Sequence, residues 1–232
     1  KERVAEPKTW EELMAAFETL RKMGVYGSVC NFYPDPAPLI WQQPYMRKQL
    51  YDNLLARYDN FLPDDEPDPF EIAHGVLTGS LDLRDPEISA PWRLFHDQSE
   101  YWVPGSTSLD IQQAFDFFAK GKVATIFWVS TDMSTFEKIC PFEIGVFPFP
   151  LLNQSPYYDG EYSEEFSLSA FEFAVPKVTE ERGTTAAAMD FLMYFVSPEA
   201  QTILSREAVC LSPIRGVPAP DKLKPFLTRM NR

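Results

Sequence analysis

Apolar positions along the chain switch between a helical and a strand period, and the switches mark its elements. Thr9-Trp10-Glu11-Glu12 reads as a capping box, in which the Thr9 hydroxyl and the Glu12 carboxylate each satisfy a helix-end amide. Leu13, Ala16, Phe17 and Leu20 follow at helical spacing, and Gly24 supplies a stop. Val25 to Asn31 is short and β-prone. A second helix is predicted from Pro44 to about Tyr58, with apolar rows at Leu50, Tyr51, Leu54 and Tyr58, and a short one over Phe70 to Thr78, ended by Gly79. Asp85-Pro86-Glu87 reads as a cap with proline in the first turn, leading into Ile88, Trp92, Phe95 and Trp102; Pro91 should kink that helix or move its start.

Ser108 is predicted to cap a helix with the stripe Ile111, Ala114, Phe115 and Phe118, closed by Gly121, and Val123 to Trp128 reads as a buried strand. Phe142, Ile144 and Val146 alternate as a second strand of this region, and Phe171, Phe173 and Val175 as a third. Helices are expected over Thr185 to Val196 and from Pro198 to Arg206, the latter capped by Ser197. Helices interleaved with short apolar strands predict an α/β protein. There is no internal repeat and no low-complexity tract.

Composition narrows the function. The 232 residues carry a net charge of −13, from 34 acidic and 21 basic side chains, with no basic stripe, so a nucleic-acid partner is disfavoured. Aromatic residues make up 15%, enough to fill a core and still line a ligand cleft. The three cysteines, Cys30, Cys140 and Cys210, are widely spaced, which predicts neither a disulfide scaffold nor a metal site. No apolar run reaches the ~20 residues of a membrane helix. No signal peptide is read at the start, and both ends are expected to be cut from a longer chain.

Catalytic signatures are lacking: no GxSxG elbow, no glycine-rich phosphate loop, no HExxH and no Cys-x-x-Cys. His74 and His96 fall in helical stretches and read as surface or packing residues rather than general bases. No cofactor and no metal are implied.

The order of several short motifs resembles the extracellular solute-binding proteins of family 1, the maltose-binding-protein-like group. Lys8-Thr9-Trp10-Glu11-Glu12-Leu13 is similar to the helix by which such chains enter their second lobe. Gly79-Ser80-Leu81-Asp82-Leu83 with Asp85-Pro86-Glu87 resembles the stretch G-x-x-D-L-x-D-P-E, and Ala114-Phe115 through Gly121-Lys122-Val123-Ala124 resembles AF-x-x-GKAAM. Phe142-Glu143-Ile144-Gly145-Val146, Phe173-Ala174-Val175-Pro176-Lys177, Ser197-Pro198-Glu199-Ala200-Gln201 and Leu211-Ser212-Pro213-Ile214-Arg215-Gly216-Val217 match later family segments in order.

The resemblance implies a periplasmic-binding-protein-like class II fold, two lobes about a hinge, here mostly the second lobe. Residues 8–166 would form that lobe, 167–217 the crossover and return to the first lobe, and 218–232 the start of the C-terminal region. Family members are longer and begin with a βαβ region upstream of the Trp10 helix. The function implied is the binding component of an ABC importer, a non-enzymatic monomer that captures a small solute, a carbohydrate above all, and delivers it to membrane permease subunits. Its setting would be extracytoplasmic, periplasmic or as a cell-surface lipoprotein.

In this architecture ligand contacts come from loops at strand ends facing the cleft. The candidates are Phe32, Tyr33 and Asp35 after the first strand, with Trp41 extending the same wall. Trp128, Ser130 and Asp132 follow the Gly121 strand, and Phe171 and Glu172 lie where the chain crosses back. Rings would stack on sugar faces while carboxylates accept hydroxyl hydrogen bonds. The family often places a G-(S/P)-W tripeptide where this chain has Val129-Ser130-Thr131, which leaves Trp128 as the nearest ring. Micromolar affinity needs about 8 kcal/mol, and one aromatic contact adds about 0.5–1.5 kcal/mol beyond its buried area, so both lobes must contribute. Two other readings stay open: a glycosidase with paired carboxylates, and a ferric-ion binder, since Tyr157-Tyr158 is similar to the tyrosine pair of such proteins.

Overall fold

Thr9 and Glu12 do form the predicted box, the Thr9 hydroxyl accepting the Glu12 N–H and the Glu12 carboxylate accepting the Thr9 N–H, both at 3.3 Å. They start α1, Trp10–Lys22. The computed structural model describes residues 4–31, 37–61, 67–158, 173–224 and 227. The described residues fall into two compact units, one on Lys1–Phe127 and Phe147–Glu164, the other on Trp128–Val146 and Glu165–Arg232.

The first unit is built around two short parallel strands, β1 (Tyr26–Val29) and β2 (Val123–Ile126), with Tyr26 opposite Val123 and Ser28 opposite Thr125. Parallel strands need a long crossover, and here it carries α2 (Ala37–Leu50), α3 (Asp52–Leu55), α4 (Pro69–Thr78), α5 (Pro86–Ser99) and α6 (Ile111–Ala119). Single bridges extend the pairing: Val103 donates to the Ser28 carbonyl at 3.2 Å, and Trp10 to the Leu151 carbonyl at 2.9 Å. Trp10, Leu13 and Phe17 of α1 bury against Met46 and Leu50 of α2, Ala90 and Phe95 of α5, and Phe149 and Leu152. Each large side chain so buried contributes about 1.5–3 kcal/mol before the entropy of ordering it.

In the second unit, α7 (Met133–Ile139) and α10 (Pro198–Ala208) pack together, and α8 (Val178–Glu181) and α10 both contact α9 (Thr185–Phe195). Ser197 caps α10 as predicted, accepting the Ala200 N–H at 3.3 Å. Buried Gln201 donates to the Phe195 carbonyl and accepts from the Ser212 hydroxyl. Lys222 pairs with Glu137. Helix α9 buries none of its residues, although it carries Met189, Phe191, Met193 and Tyr194, all half or more exposed or nearly so.

Several expectations are corrected. The second helix starts at Ala37, not Pro44, and runs through that proline to Leu50 before breaking at Tyr51; its packing against α5 outweighs the hydrogen bond that Pro44 cannot donate. Pro91 likewise sits inside α5 without shifting its start, and is itself fully buried. Trp102 lies beyond that helix, bridged to Ser28. Asp110, not Ser108, caps α6, with Gln113 completing the box; Ser108 belongs to the preceding 3-10 turn. β2 ends at Ile126 and is half-buried beyond Val123. The alternating segments at 142–146 and 173–175 pair with no strand among the described residues. Alternation alone offers a face to bury, and a strand also needs a neighbour with open N–H and C=O groups.

Candidate ligand-binding site

At the carboxyl end of β1 the chain runs into Cys30 and Asn31, both 1% exposed. Neither amide atom of Asn31 has a hydrogen-bond partner among the described residues. Phe32, Tyr33 and Asp35 lie outside the described residues. Trp41 is described: it is half-buried on α2, one helical turn before Tyr45.

Tyr45 introduces rings that the sequence reading missed. Its ring stacks on Phe149 at 5.4 Å and 24° and meets Phe127 edge-on at 5.8 Å. Phe127, the residue that follows β2, meets Phe149 edge-on at 6.1 Å. Offset and edge-to-face pairs of this kind fix ring orientation through their quadrupoles. Tyr45 and Phe127 are half-buried, packed against the core, while Phe149 is buried, so the group places partly covered rings at the carboxyl end of β2 with a packed support behind them. The available signal was the four-residue step from Trp41 to Tyr45, which puts both on one helix face.

Directly after Phe127 the chain turns. Val129 is extended, Ser130–Asp132 is a 3-10 turn, and α7 begins at Met133. The turn brings three predicted residues together. Trp128 is half-buried, as are Ser130 and Asp132, and the indole Nε1–H of Trp128 donates to Asp132 Oδ2 at 2.5 Å. Trp128 is therefore not a core residue. Phe171 and Glu172 lie outside the described residues.

Other chemistry gathers elsewhere. The Arg84 guanidinium beside Asp82 holds that carboxyl down at about 2, and Lys120 and Lys224 lower those of Asp116 and Asp221. All three carboxylates are exposed and acidified, whereas a glycosidic general acid needs a raised pKa. His74 and His96 are exposed on α4 and α5. A shallow hollow along α5, lined by Ser89, Trp92, Arg93, His96 and Asp97, includes none of the predicted site residues. Tyr157 and Tyr158 pack against the hydrophobic core, and no group of three His, Cys, Asp or Glu among the described residues could hold a metal ion. No described helix is long and apolar enough to cross a membrane.

Comparison with known proteins bears on this geometry. Residues 1–225 match the family model described as bacterial extracellular solute-binding protein. No curated protein matches the sequence. Among solved structures, a chitin oligosaccharide binding protein superposes with a TM-score of 0.63 at 16% identity, covering 98% of this chain and 52% of its own. The solute-binding protein RafE, in complex with raffinose, gives 0.61 at 15% identity, covering 98% and 54%. A probable secreted solute-binding lipoprotein from Streptomyces coelicolor gives 0.58 at 15% identity, covering 98% and 52%. At such identity the likeness is one of fold, and this chain spans about half the length of these structures.

Proposed function

Because the chain belongs to the bacterial extracellular solute-binding proteins, a family of binding proteins rather than enzymes, we propose that it forms one side of a hinged clamp that captures a small carbohydrate for an ABC importer. The observation that carries this reading is the ring group at the carboxyl end of β2, where half-buried Tyr45 and Phe127 are held in fixed orientation by Phe149. Aromatic faces suit the apolar C–H face of a pyranose, and neighbouring polar groups take its hydroxyls. The fold neighbours named for chitin oligosaccharides and raffinose support the same ligand class.

On this reading residues 8–166 belong to the second lobe, except that the 128–146 segment falls in the same compact unit as the 167–217 stretch that returns to the first. The exposed apolar side chains of α9 support that division, since Phe191 and Met193 are 59% and 66% exposed and an interior helix of the first lobe would cover them. Closure of two lobes on a ligand gives the importer its signal, because ligand binds the closed state better than the open one. Phe32, Tyr33, Asp35, Trp41, Phe171 and Glu172 remain proposed contacts, and the permease subunits the proposed partner. The proposed setting is extracytoplasmic.

Calorimetry tests the reading. The product of the complete reading frame is expected to bind raffinose or a chitin oligosaccharide at micromolar Kd. The 232-residue chain alone should bind the same sugar at least about 100-fold more weakly, because contacts from one lobe supply only part of the roughly 8 kcal/mol required. Equal affinity for both would exclude a two-sided clamp, and no binding of either sugar would exclude this carbohydrate class.

A further inference from the structure

Asp132 stands at the N-cap of α7, where an aspartate ordinarily accepts a backbone N–H of the first helical turn. It makes no such bond. Its Oδ2 instead accepts the indole N–H of Trp128 at 2.5 Å, across the 3-10 turn that separates the strand from the helix. A hydrogen bond to an ionised carboxylate is stronger than one between neutral groups and strongly directional. A tryptophan side chain has two soft torsions; anchoring its N–H fixes the ring plane.

Resting on the carbohydrate reading above, we infer that Asp132 is a positioning residue: it does not touch the ligand but locks the Trp128 indole in one plane, so that the ring offers the sugar its face and not its N–H. This revises the role given to Asp132 by its residue type, that of an acceptor for sugar hydroxyls. Fixing the ring before the ligand arrives removes an ordering penalty, and preorganisation of one rotamer-rich side chain is worth a factor of several in affinity. It also sets specificity. With the N–H engaged, selection at this position goes by the shape and apolarity of a sugar face, and a hydroxyl directed at the indole nitrogen finds no donor.

The test uses the complete reading-frame product, with raffinose and a chitin oligosaccharide as probes. Asp132→Ala should weaken binding several-fold, the cost of ordering the freed Trp128 side chain when ligand binds, and Asp132→Asn, which keeps a carbonyl acceptor, should recover most of it. In the amide and indole NMR spectrum the Nε1–H resonance that disappears in Trp128→Phe should move upfield and exchange faster in Asp132→Ala. In a Trp128→Phe background, which retains a ring but has no N–H, Asp132→Ala should change affinity little. An equal loss in both backgrounds would mean that Asp132 meets the sugar directly, and an unmoved indole resonance would remove the tether; either overturns the inference and leaves the clamp intact. Unchanged affinity in Trp128→Ala would instead remove Trp128 from the binding site and take the inference with it. Because Asp132→Asn preserves size and an acceptor, it remains informative even if the alanine variant is poorly folded.

Discussion

The Glu71 carboxylate, 2% exposed, accepts the backbone N–H of Phe61 at 2.6 Å. The same oxygen takes the Asn60 N–H at 2.7 Å and the other takes the Asp68 N–H at 2.9 Å. One buried side chain thus gathers the backbone that precedes α4 onto its first turn. Glu71→Ala leaves three amides to find water and should lower unfolding stability by about 3 kcal/mol. Glu71→Gln, which keeps one accepting oxygen, should lower it less. Urea unfolding checks both, and a loss under about 0.5 kcal/mol for the alanine variant contradicts this account.

Gln49 ties α2 to the segment beside α1. Its Oε1 accepts the Leu152 N–H at 2.8 Å and its Nε2 donates to the Pro150 carbonyl at 3.3 Å, with the side chain wholly buried. Gln49→Leu preserves volume but orphans a donor and an acceptor, and is expected to cost about 2–3 kcal/mol. Gln49→Glu should be worse near neutral pH and recover on acidification, since the charged form loses the donor and buries a carboxylate. Denaturation at two pH values separates these effects.

A side chain at Gly27 would meet the ring of Phe17, with a Cβ 2.4 Å from its nearest atom. Phe17 is 1% exposed and has no open space to yield into. Gly27→Ala should therefore destabilise the first unit by about 2–3 kcal/mol through overpacking. Pairing it with Phe17→Leu should recover part of the loss, and a double-mutant cycle measures the coupling.

Burial pushes the Cys30 thiol up from its ordinary value near 9 to about 12. The folded chain then holds a proton, between those two values, that the unfolded chain releases. Stability from this source is complete below about pH 9 and falls as the pH rises toward 12. Cys30→Ala should flatten that alkaline decline relative to the parent. At pH 8 a thiol reagent should label the half-buried Cys140 and Cys210 in the native protein and Cys30 only after denaturation.

Local chemistry made the helices legible. Thr9, Gly24, Gly79 and Ser197 act within a few residues, and the structure uses each where the sequence puts it. Ser108 misled because Asp110 also fits a cap, and the better partner, Gln113, lies three residues beyond the aspartate. Pro44 and Pro91 misled for the opposite reason: a proline's local penalty is readable, whereas the burial that outweighs it belongs to distant residues.

Fold class and the caps at Thr9 and Ser197 were determined by the sequence alone, since they depend on periodicity and on groups within one helical turn of each other. Which apolar segments become strands, which rings support one another, and whether Asp132 faces a ligand or an indole were decided only by tertiary structure. Strand pairing and ring packing join residues about a hundred positions apart, such as Tyr26 with Val123 and Tyr45 with Phe149, and no local pattern encodes which distant partner will be there to complete them.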